Sequence, residues 1–465
     1  MKGIISYGAY IPYNRLQRKA IGAFFGKGAP SGEKAVRGHD EDSVSMGVEA
    51  ALDCLREVKP EQIDSVYFAT TNPPYKEKGS TAIIASALTL KENVKGVEVT
   101  ASLRSGTSSL LAANPDELTL VIASDCRTGA PNGQNEMWFG DGAAAFVLGS
   151  GDNVIANLID SGSLQGEVIT QWQSLSDPFT QSWEERLGLT VLLDQVKKAI
   201  IPFLEKNNLT ADGVSKVIIS APGNRAHNQV ASVLGFSKEQ VQDPLLNTVG
   251  STGTAHAPMM LVSALEEANP GDKLLVISFA EGLDYLLFEV TDAIKQLGER
   301  KGVKGYLNIK NNELSYSEYL KWREILATEP PRRPKTDRPA APPLFRGYNQ
   351  NLSFTGSKCR KCGTPQFPKQ RVCIQCQAKD EMDDYRFVGQ AAKVMTYTLD
   401  HLAASISPPI ISAVVDFEEG GRIITEVTDC DPDEIKIGMN VEMTFRRLHQ
   451  VGGISNYFWK ARPIR

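Results

Sequence analysis

The stretch EVTASLRSGTSSLL, Glu98 to Leu111, decides how the rest of the chain is read. An alternating apolar segment stops, a small-residue elbow carrying Leu103 follows, and a Ser/Thr-rich helix start leads away. Working outward, DSVYFATTN (64–72), LTLVIASD (118–125), SKVIISAPGN (215–224) and KLLVISFAEG (273–282) are short runs rich in β-branched residues, each ending in small or polar residues. Between them lie amphipathic helices. SVSMGVEAALDCLREV (43–58) puts Val44, Val48, Ala51, Leu52 and Leu55 on one face. QSWEERLGLTVLLDQVKKAIIPFLEK is a long helix ahead of SKVIIS. Buried strands interleaved with helices predict a layered α/β fold. Two such halves, 1–150 and roughly 190–292, suggest an internal duplication.

The chain then changes character. Residues 293–326 read as charged helix (YSEYLKWREIL), and six prolines fall between Pro330 and Pro343. Proline at that density sustains neither helix nor central strand, so 326–343 is expected to be an extended linker. Residues 344–465 combine a cysteine knuckle with alternating strand patterns (AAKVMTYTLD, PIISAVVDFEEGGRIITEVTD, VEMTFRRL), which predict a small antiparallel barrel.

Bulk properties narrow the function classes. The 465 residues are 42% hydrophobic and 23% charged, with a net charge of −5, which is ordinary for globular domains. No long basic run offers a nucleic-acid surface. The start, MKGIISYGAYIPYNRL, lacks the apolar core of a signal peptide, and no apolar run is long enough to cross a bilayer. A cytoplasmic protein without nucleic-acid or membrane partners is the expectation.

Of the seven cysteines, four form CRKC (359–362) and, ten residues on, CIQC (373–376). Each CxxC turn aims two sulfurs at one point, and Cys359, Cys362, Cys373 and Cys376 together close a tetrahedral site for Zn²⁺. Four thiolates leave no open coordination position, so the metal is expected to be structural. Cys54, Cys126 and Cys430 are scattered, which speaks for reduced thiols and against a disulfide framework. GKGAPSGEK (26–34) lacks the spacing and preceding strand of a phosphate loop.

A CxxC/CxxC ribbon followed by a short barrel, entered through LFRGYNQNLSFTGSKCRKCG (344–363), is similar to the DUF35 family, a rubredoxin-like zinc ribbon (344–384) joined to an OB-fold (385–465). That family accompanies thiolase-like proteins near acyl-CoA sites. Lys358, Arg360, Lys361, Lys369 and Arg371 then offer cations for CoA phosphates, or form a solvated basic surface.

Residues 1–325 resemble the HMG-CoA synthase and ketoacyl synthase III branch of the thiolase superfamily. The landmarks are HDEDSVSMGVEAALDCL (39–55), WFGDGAAAFVLG (138–149), LLNTVGSTGTAHAPMML (245–261) and ISFAEGLDYLLFEV (277–290), in that order. The resemblance implies a duplicated five-layer core, an acyl-CoA substrate and a homodimer, or a heteromer with other thiolase-like or acyl-CoA pathway proteins. Carried over motif by motif, the branch's cysteine falls on Leu103, its histidine on Ser220, its asparagine on Ser251, and the glutamate of HMG-CoA synthases on Thr71.

A hydrocarbon cannot form a thioester. The resemblance implies that the backbone N–H groups of Leu103 and of the Gly282 loop face each other as in the family, and two such donors stabilise a thioester oxygen as it becomes an enolate. That chemistry suits an aldolase or retro-aldolase acting on a β-hydroxyacyl-CoA, as in the cysteine-less steroid side-chain aldolases that pair with DUF35 subunits. Tyr285, Glu281 and His256 are the proposed proton carriers, His227 is a further imidazole on a helix pattern, and Cys126 reads as packing. Two other readings stand beside the lyase: a non-catalytic partner of an active thiolase, and a conventional HMG-CoA synthase or ketothiolase.

Overall fold

A computed structural model describes residues 2–114, 116–174, 176–327, 329, 340–403 and 405–465. Its contacts divide them into two compact units, one built from 1–37, 46–85 and 90–316, the other from 38–45, 86–89 and 317–465.

In the first unit the apolar runs become strands of one nine-stranded sheet. The strands are β1 (Lys2–Tyr10), β2 (Ser65–Thr70), β3 (Lys95–Thr100), β4 (Thr119–Asp125), β5 (Gly142–Ser150), β6 (Ala156–Gln165), β7 (Lys216–Ser220), β8 (Lys273–Ala280) and β9 (Gly282–Val290). Their order is β7-β8-β9-β6-β1-β5-β4-β2-β3. The duplication is visible in the ladders. In the first half β2 runs parallel to β4, then β5 and β1 follow antiparallel. In the second half β7 runs parallel to β8, then β9 and β6 follow antiparallel. The seam between the halves is two residue pairs, Gly3↔Asn157 and Ile4↔Ala156. The second half thus begins at Ala156, earlier than the sequence periodicity indicates, because β6 alternates too weakly to read as a core strand.

Among the helices that pack against this sheet are α1 (Ser105–Ala112), α2 (Glu185–Lys206), α3 (Gly223–Val233) and α4 (His256–Leu265). α1 and α4 pack on each other and on strands of both halves, so they form the middle layer. α2 and α3 cover the second half's outer face around Leu192, Val196, Ile200, Val230 and Leu275, each such side chain contributing about 1.5–3 kcal/mol on burial. The helix read at 43–58 forms over Ser43–Cys54.

In the second unit the ribbon is three short strands, Thr355–Cys359, Pro365–Gln366 and Met382–Arg386. A closed five-stranded barrel follows, with strands between Ala392 and Pro463. The barrel is antiparallel except where Arg422–Val427 meets Ile454–Pro463 in parallel to close it. Trp459, fully buried, anchors it by donating from Nε1 to Leu352 O at 2.8 Å. Arg446 pairs inside this unit with Glu41 at 2.8 Å and Asp429 at 2.6 Å, all three buried. Most of the proline-rich linker, 330–339, lies outside the described residues. Its end departs from the extended reading, since Ala341–Arg346 is a short helix with proline in its first turn, where a missing N–H costs nothing.

Candidate active site

The elbow that the sequence announces lies at the end of β3. Ala101 takes a left-handed φ of 75°, and Leu103 sits in the turn just before α1. Arg104, the next residue and only 4% exposed, locks that turn. It donates to Asp284 Oδ1 at 2.7 Å, Gln165 Oε1 at 3.0 Å and the Glu281 carbonyl at 3.0 Å. Asp284 also accepts from Thr107 Oγ1 at 2.9 Å, Ser108 Oγ at 2.7 Å and Ser163 Oγ. The elbow and the β8–β9 turn are thereby stitched together through a buried ion pair.

The two halves meet backbone against backbone beside this point. A Cβ on Gly106 would overlap the Thr254 carbonyl, and one on Gly140 would overlap the Val249 carbonyl. Gly106 N donates to Thr254 Oγ1 at 2.6 Å, and Thr254 N donates to Asp125 Oδ2 at 2.8 Å. Asp125 closes β4 and is fully buried. It also accepts from Thr70 Oγ1, Thr71 N and Thr71 Oγ1.

Here a cavity of about 360 Å³ opens, within the size range of small-ligand sites. The first half lines it with Leu103, Arg127, Trp138 and Phe139, the second with Ser220, Leu246, Ser251, His256 and Phe279. Gln171, Trp183, Glu184, Glu185 and the start of α3 complete the wall. No cysteine lines it among the described residues. Three of the positions singled out by motif, Leu103, Ser220 and Ser251, converge on one space although they span 149 residues of the chain.

His256 opens α4, buried, and its Nδ1 accepts from Thr252 N at 3.4 Å. That contact leaves Nε2 as the nitrogen carrying the proton. Burial, then the positive fields of Arg127 and His227, hold the imidazole down at about 3, so it is neutral throughout the physiological range. Arg127 is 4% exposed and is lowered to about 10, chiefly by burial. It donates to Gln171 Oε1 at 2.9 Å and Ser251 Oγ at 3.1 Å and stacks on the Phe139 ring at 3.9 Å.

The other candidates fall elsewhere. Tyr285 is not brought to the cavity. Its ring packs edge-on against Phe203 at 4.8 Å in the second-half core and lies over Gly162 of the neighbouring strand. Glu281 occupies the turn beside Arg104, 3.8 Å from its guanidinium, with its side chain 44% exposed. Gly282 opens β9 in register with Gln165 and Ala280 and does not line the cavity. His227 lies on α3, as its helix pattern indicates, and is buried, with Nδ1 2.9 Å from Ile219 O. Cys126 follows β4, between Asp125 and Arg127, outside the lining. Sequence reading misses Arg127, Gln171, Glu184 and Glu185. The signal for Arg127 is a cation directly after a buried strand's last carboxylate, in SDCRTG.

In the ribbon, the four sulfurs of Cys359, Cys362, Cys373 and Cys376 lie within 4.8 Å of one another. Cys359 and Cys376 are 3.6 Å apart, and Cys362 and Cys373 3.5 Å. A tetrahedron of Zn–S bonds has edges of about 3.8 Å, so the group fits Zn²⁺. Left-handed residues, Gly363 and Gln377, end each knuckle. Of the basic residues nearby, Arg371 is paired with Asp380, Lys369 with Asp384, Arg360 with Glu381 and Asp383, and Lys358 with Glu419. Their charge is largely spoken for within the unit.

Comparison with known proteins agrees with this layout. The model for the 3-oxoacyl-[acyl-carrier-protein] synthase III C terminal matches 204–287, that for the ChsH2 rubredoxin-like zinc ribbon domain 351–383, and that for the ChsH2 C-terminal OB-fold domain 385–446. The hydroxymethylglutaryl-CoA synthase of Aeropyrum pernix is 31% identical over 338 residues, 69% of this chain and 94% of that enzyme. That of Methanopyrus kandleri is 27% identical over 342 residues, 70% and 97%. Among solved structures, an HMG-CoA synthase complexed with CoA superposes with a TM-score of 0.62 at 18% identity, covering 69% of this chain and 89% of its own. No described helix is long and apolar enough to cross a membrane. With its duplicated core, its cavity at the junction of the halves and these relatives, the chain belongs to the hydroxymethylglutaryl-CoA synthase family of acyl-CoA condensing enzymes.

Proposed function

We propose that this chain binds an acyl-CoA in the cavity and makes or breaks the carbon–carbon bond next to the thioester by an aldol-type route without an acyl-enzyme. The observation that carries this reading is the lining itself, in which Leu103, Ser220 and Ser251 converge and no thiol is present among the described residues. Leu103 takes the elbow position of the family's nucleophile, and a methyl-terminated side chain there leaves only non-covalent catalysis. In the cleavage direction the β-hydroxyl loses its proton and the Cα–Cβ bond breaks. The electron pair passes to the thioester as an enolate, which is protonated at Cα. The neutral His256, with its proton on Nε2, supplies a hydrogen bond to the thioester oxygen, supported by the N–H groups at the start of α1. Glu184 and Glu185 on the cavity wall, and Glu281 on the adjoining turn, are the carboxylates to compare as proton acceptors by substitution with Gln.

The second reading is the condensation for which the relatives are named, favoured by 31% identity across 94% of the Aeropyrum pernix enzyme. It requires an acyl group on the protein. The experiment is to incubate the purified chain with β-hydroxyacyl-CoA thioesters, follow carbonyl product and shortened acyl-CoA, and record the intact protein mass in the presence of acetyl-CoA. Cleavage with unchanged protein mass supports the lyase. An acyl adduct on any cysteine overturns it in favour of the condensing reading.

A further inference from the structure

Arg18 is fully buried behind the cavity wall and is not one of the residues that line it. It opens the short helix Arg18–Phe24, and its guanidinium reaches main-chain carbonyls of three separate segments. Nε donates to Met137 O at 2.8 Å, Nη1 to Ser31 O at 2.8 Å and Nη2 to Leu246 O. The guanidinium also lies over the Trp138 ring, 4.4 Å from its centroid, a cation–π contact. Trp138 and Leu246, unlike Arg18, do line the cavity, one from each half. One buried side chain thus ties the main chain on both sides of the cavity and backs the indole between them.

That arrangement has a mechanical consequence. An aromatic side chain in a cavity wall ordinarily has other staggered rotamers into which it can swing to admit a larger ligand. Here the guanidinium occupies the space behind Trp138, and it is held there by a rigid fork of donors. Displacing it leaves buried N–H groups without acceptors, which costs more than a single hydrogen bond returns. The wall therefore does not retreat. The cavity stays near 360 Å³, toward the small end of ligand sites.

We infer that Arg18 is a positioning residue that fixes Trp138 and thereby limits the cavity to short acyl groups. The inference rests on the acyl-CoA reading of the cavity and adds a size limit set by a residue behind the wall. A lysine in its place keeps the charge over the ring but lacks the fork that reaches all three carbonyls.

The test is the ratio of two affinities, because a merely structural role would weaken both alike. Acetyl-CoA, octanoyl-CoA and CoA are measured calorimetrically on the full chain. The wild type should bind acetyl-CoA more tightly than octanoyl-CoA. Trp138→Ala should move the ratio about tenfold toward octanoyl-CoA, and Arg18→Gln should move it in the same direction. Arg18→Lys should restore part of the preference. The double variant should move the ratio no further than Trp138→Ala alone, since Arg18 acts through the indole. If Arg18→Gln does not fold, the wild-type ratio, Trp138→Ala and Arg18→Lys decide. An unchanged ratio in Arg18→Gln overturns the positioning role. A wild type that does not prefer acetyl-CoA overturns the size limit while leaving the acyl-CoA reading intact. Failure of CoA and both thioesters to bind overturns that reading and the inference with it.

Discussion

Removing the Asp284 carboxylate should be among the most damaging single changes in the core, and the size of the effect is set by its surroundings. Asp284 is fully buried and accepts from Arg104, Thr107, Ser108 and Ser163. The hydroxyls can rotate to other acceptors, whereas Arg104 cannot discharge. Its other close partners, Gln165 Oε1 and the Glu281 carbonyl, are neutral, and the Glu281 carboxylate at 3.8 Å is half exposed and screened. Asp284→Ala therefore strands a buried cation and should cost about 3–5 kcal/mol. Asp284→Asn keeps one acceptor and should lose about 1.5–3 kcal/mol, the usual worth of a charged hydrogen bond. Against a total stability of about 5–15 kcal/mol either change is large. Because Arg104 adjoins Leu103, acyl-CoA affinity should fall as well. Urea titration followed by near-UV circular dichroism, with the ribbon tracked separately through its metal, gives the loss for the core alone. The double variant Arg104→Met, Asp284→Leu should recover part of it, since no charge is left buried. A cost below about 1 kcal/mol for Asp284→Ala would refute the claim that this pair holds the elbow.

Other changes give equally definite outcomes. Leu103→Cys should introduce a thiol that reacts with iodoacetamide and is protected by CoA, whereas Cys54, which burial pushes up to about 12, stays unmodified; absence of new labelling would place Leu103 away from the ligand. Glu266, raised to about 7 mainly by burial, holds its proton more tightly when folded than at its ordinary value of 4.5. Its contribution is complete below pH 4.5 and fades as pH rises through about 7, so Glu266→Gln, which keeps an acceptor for Val303 N, should flatten the pH dependence of stability across that window. A chelator should unfold the ribbon, read by loss of zinc and by rapid proteolysis between Thr355 and Arg386, with the first unit's melt unchanged. With its imidazole held near 3, His256 should contribute no inflection to a pH–rate profile between about pH 5 and 8, and a His256→Gln variant that shifts such an inflection would show the residue to be titrating.

How much of the structure is legible in the chain depends on how local the information is. The zinc knuckle is written within 18 residues, and its ligands need no tertiary contact to be recognised. The elbow likewise declares itself through the change from alternation to small residues. Tyr285 is misplaced when GLDYLLFEV is taken as a motif and not as a strand. With a period of two, Tyr285 shares a face with Leu283 and Leu287, both core residues, while Asp284 points the other way to Arg104. Arg127 carries no local signal of its place, since only the folded chain shows that the cation next to Cys126 lines the cavity. The end of the proline linker misleads for another reason: Pro342 and Pro343 sit in a helix's first turn, the one helical place where proline is at home.

The glycine contacts between the halves bear on how this family can diversify. At Gly106 and Gly140 the main chains approach so closely that no side chain fits, while the side chains at the tips of the same segments, Leu103 and Ser251, project into open space. Mutation at the tips alters chemistry without disturbing assembly, and mutation at the glycines disturbs assembly whatever the chemistry. The junction therefore separates positions fixed by main-chain packing from positions open to side-chain change. Side chains at the tips can change while the main-chain contacts between the halves at Gly106 and Gly140 stay in place.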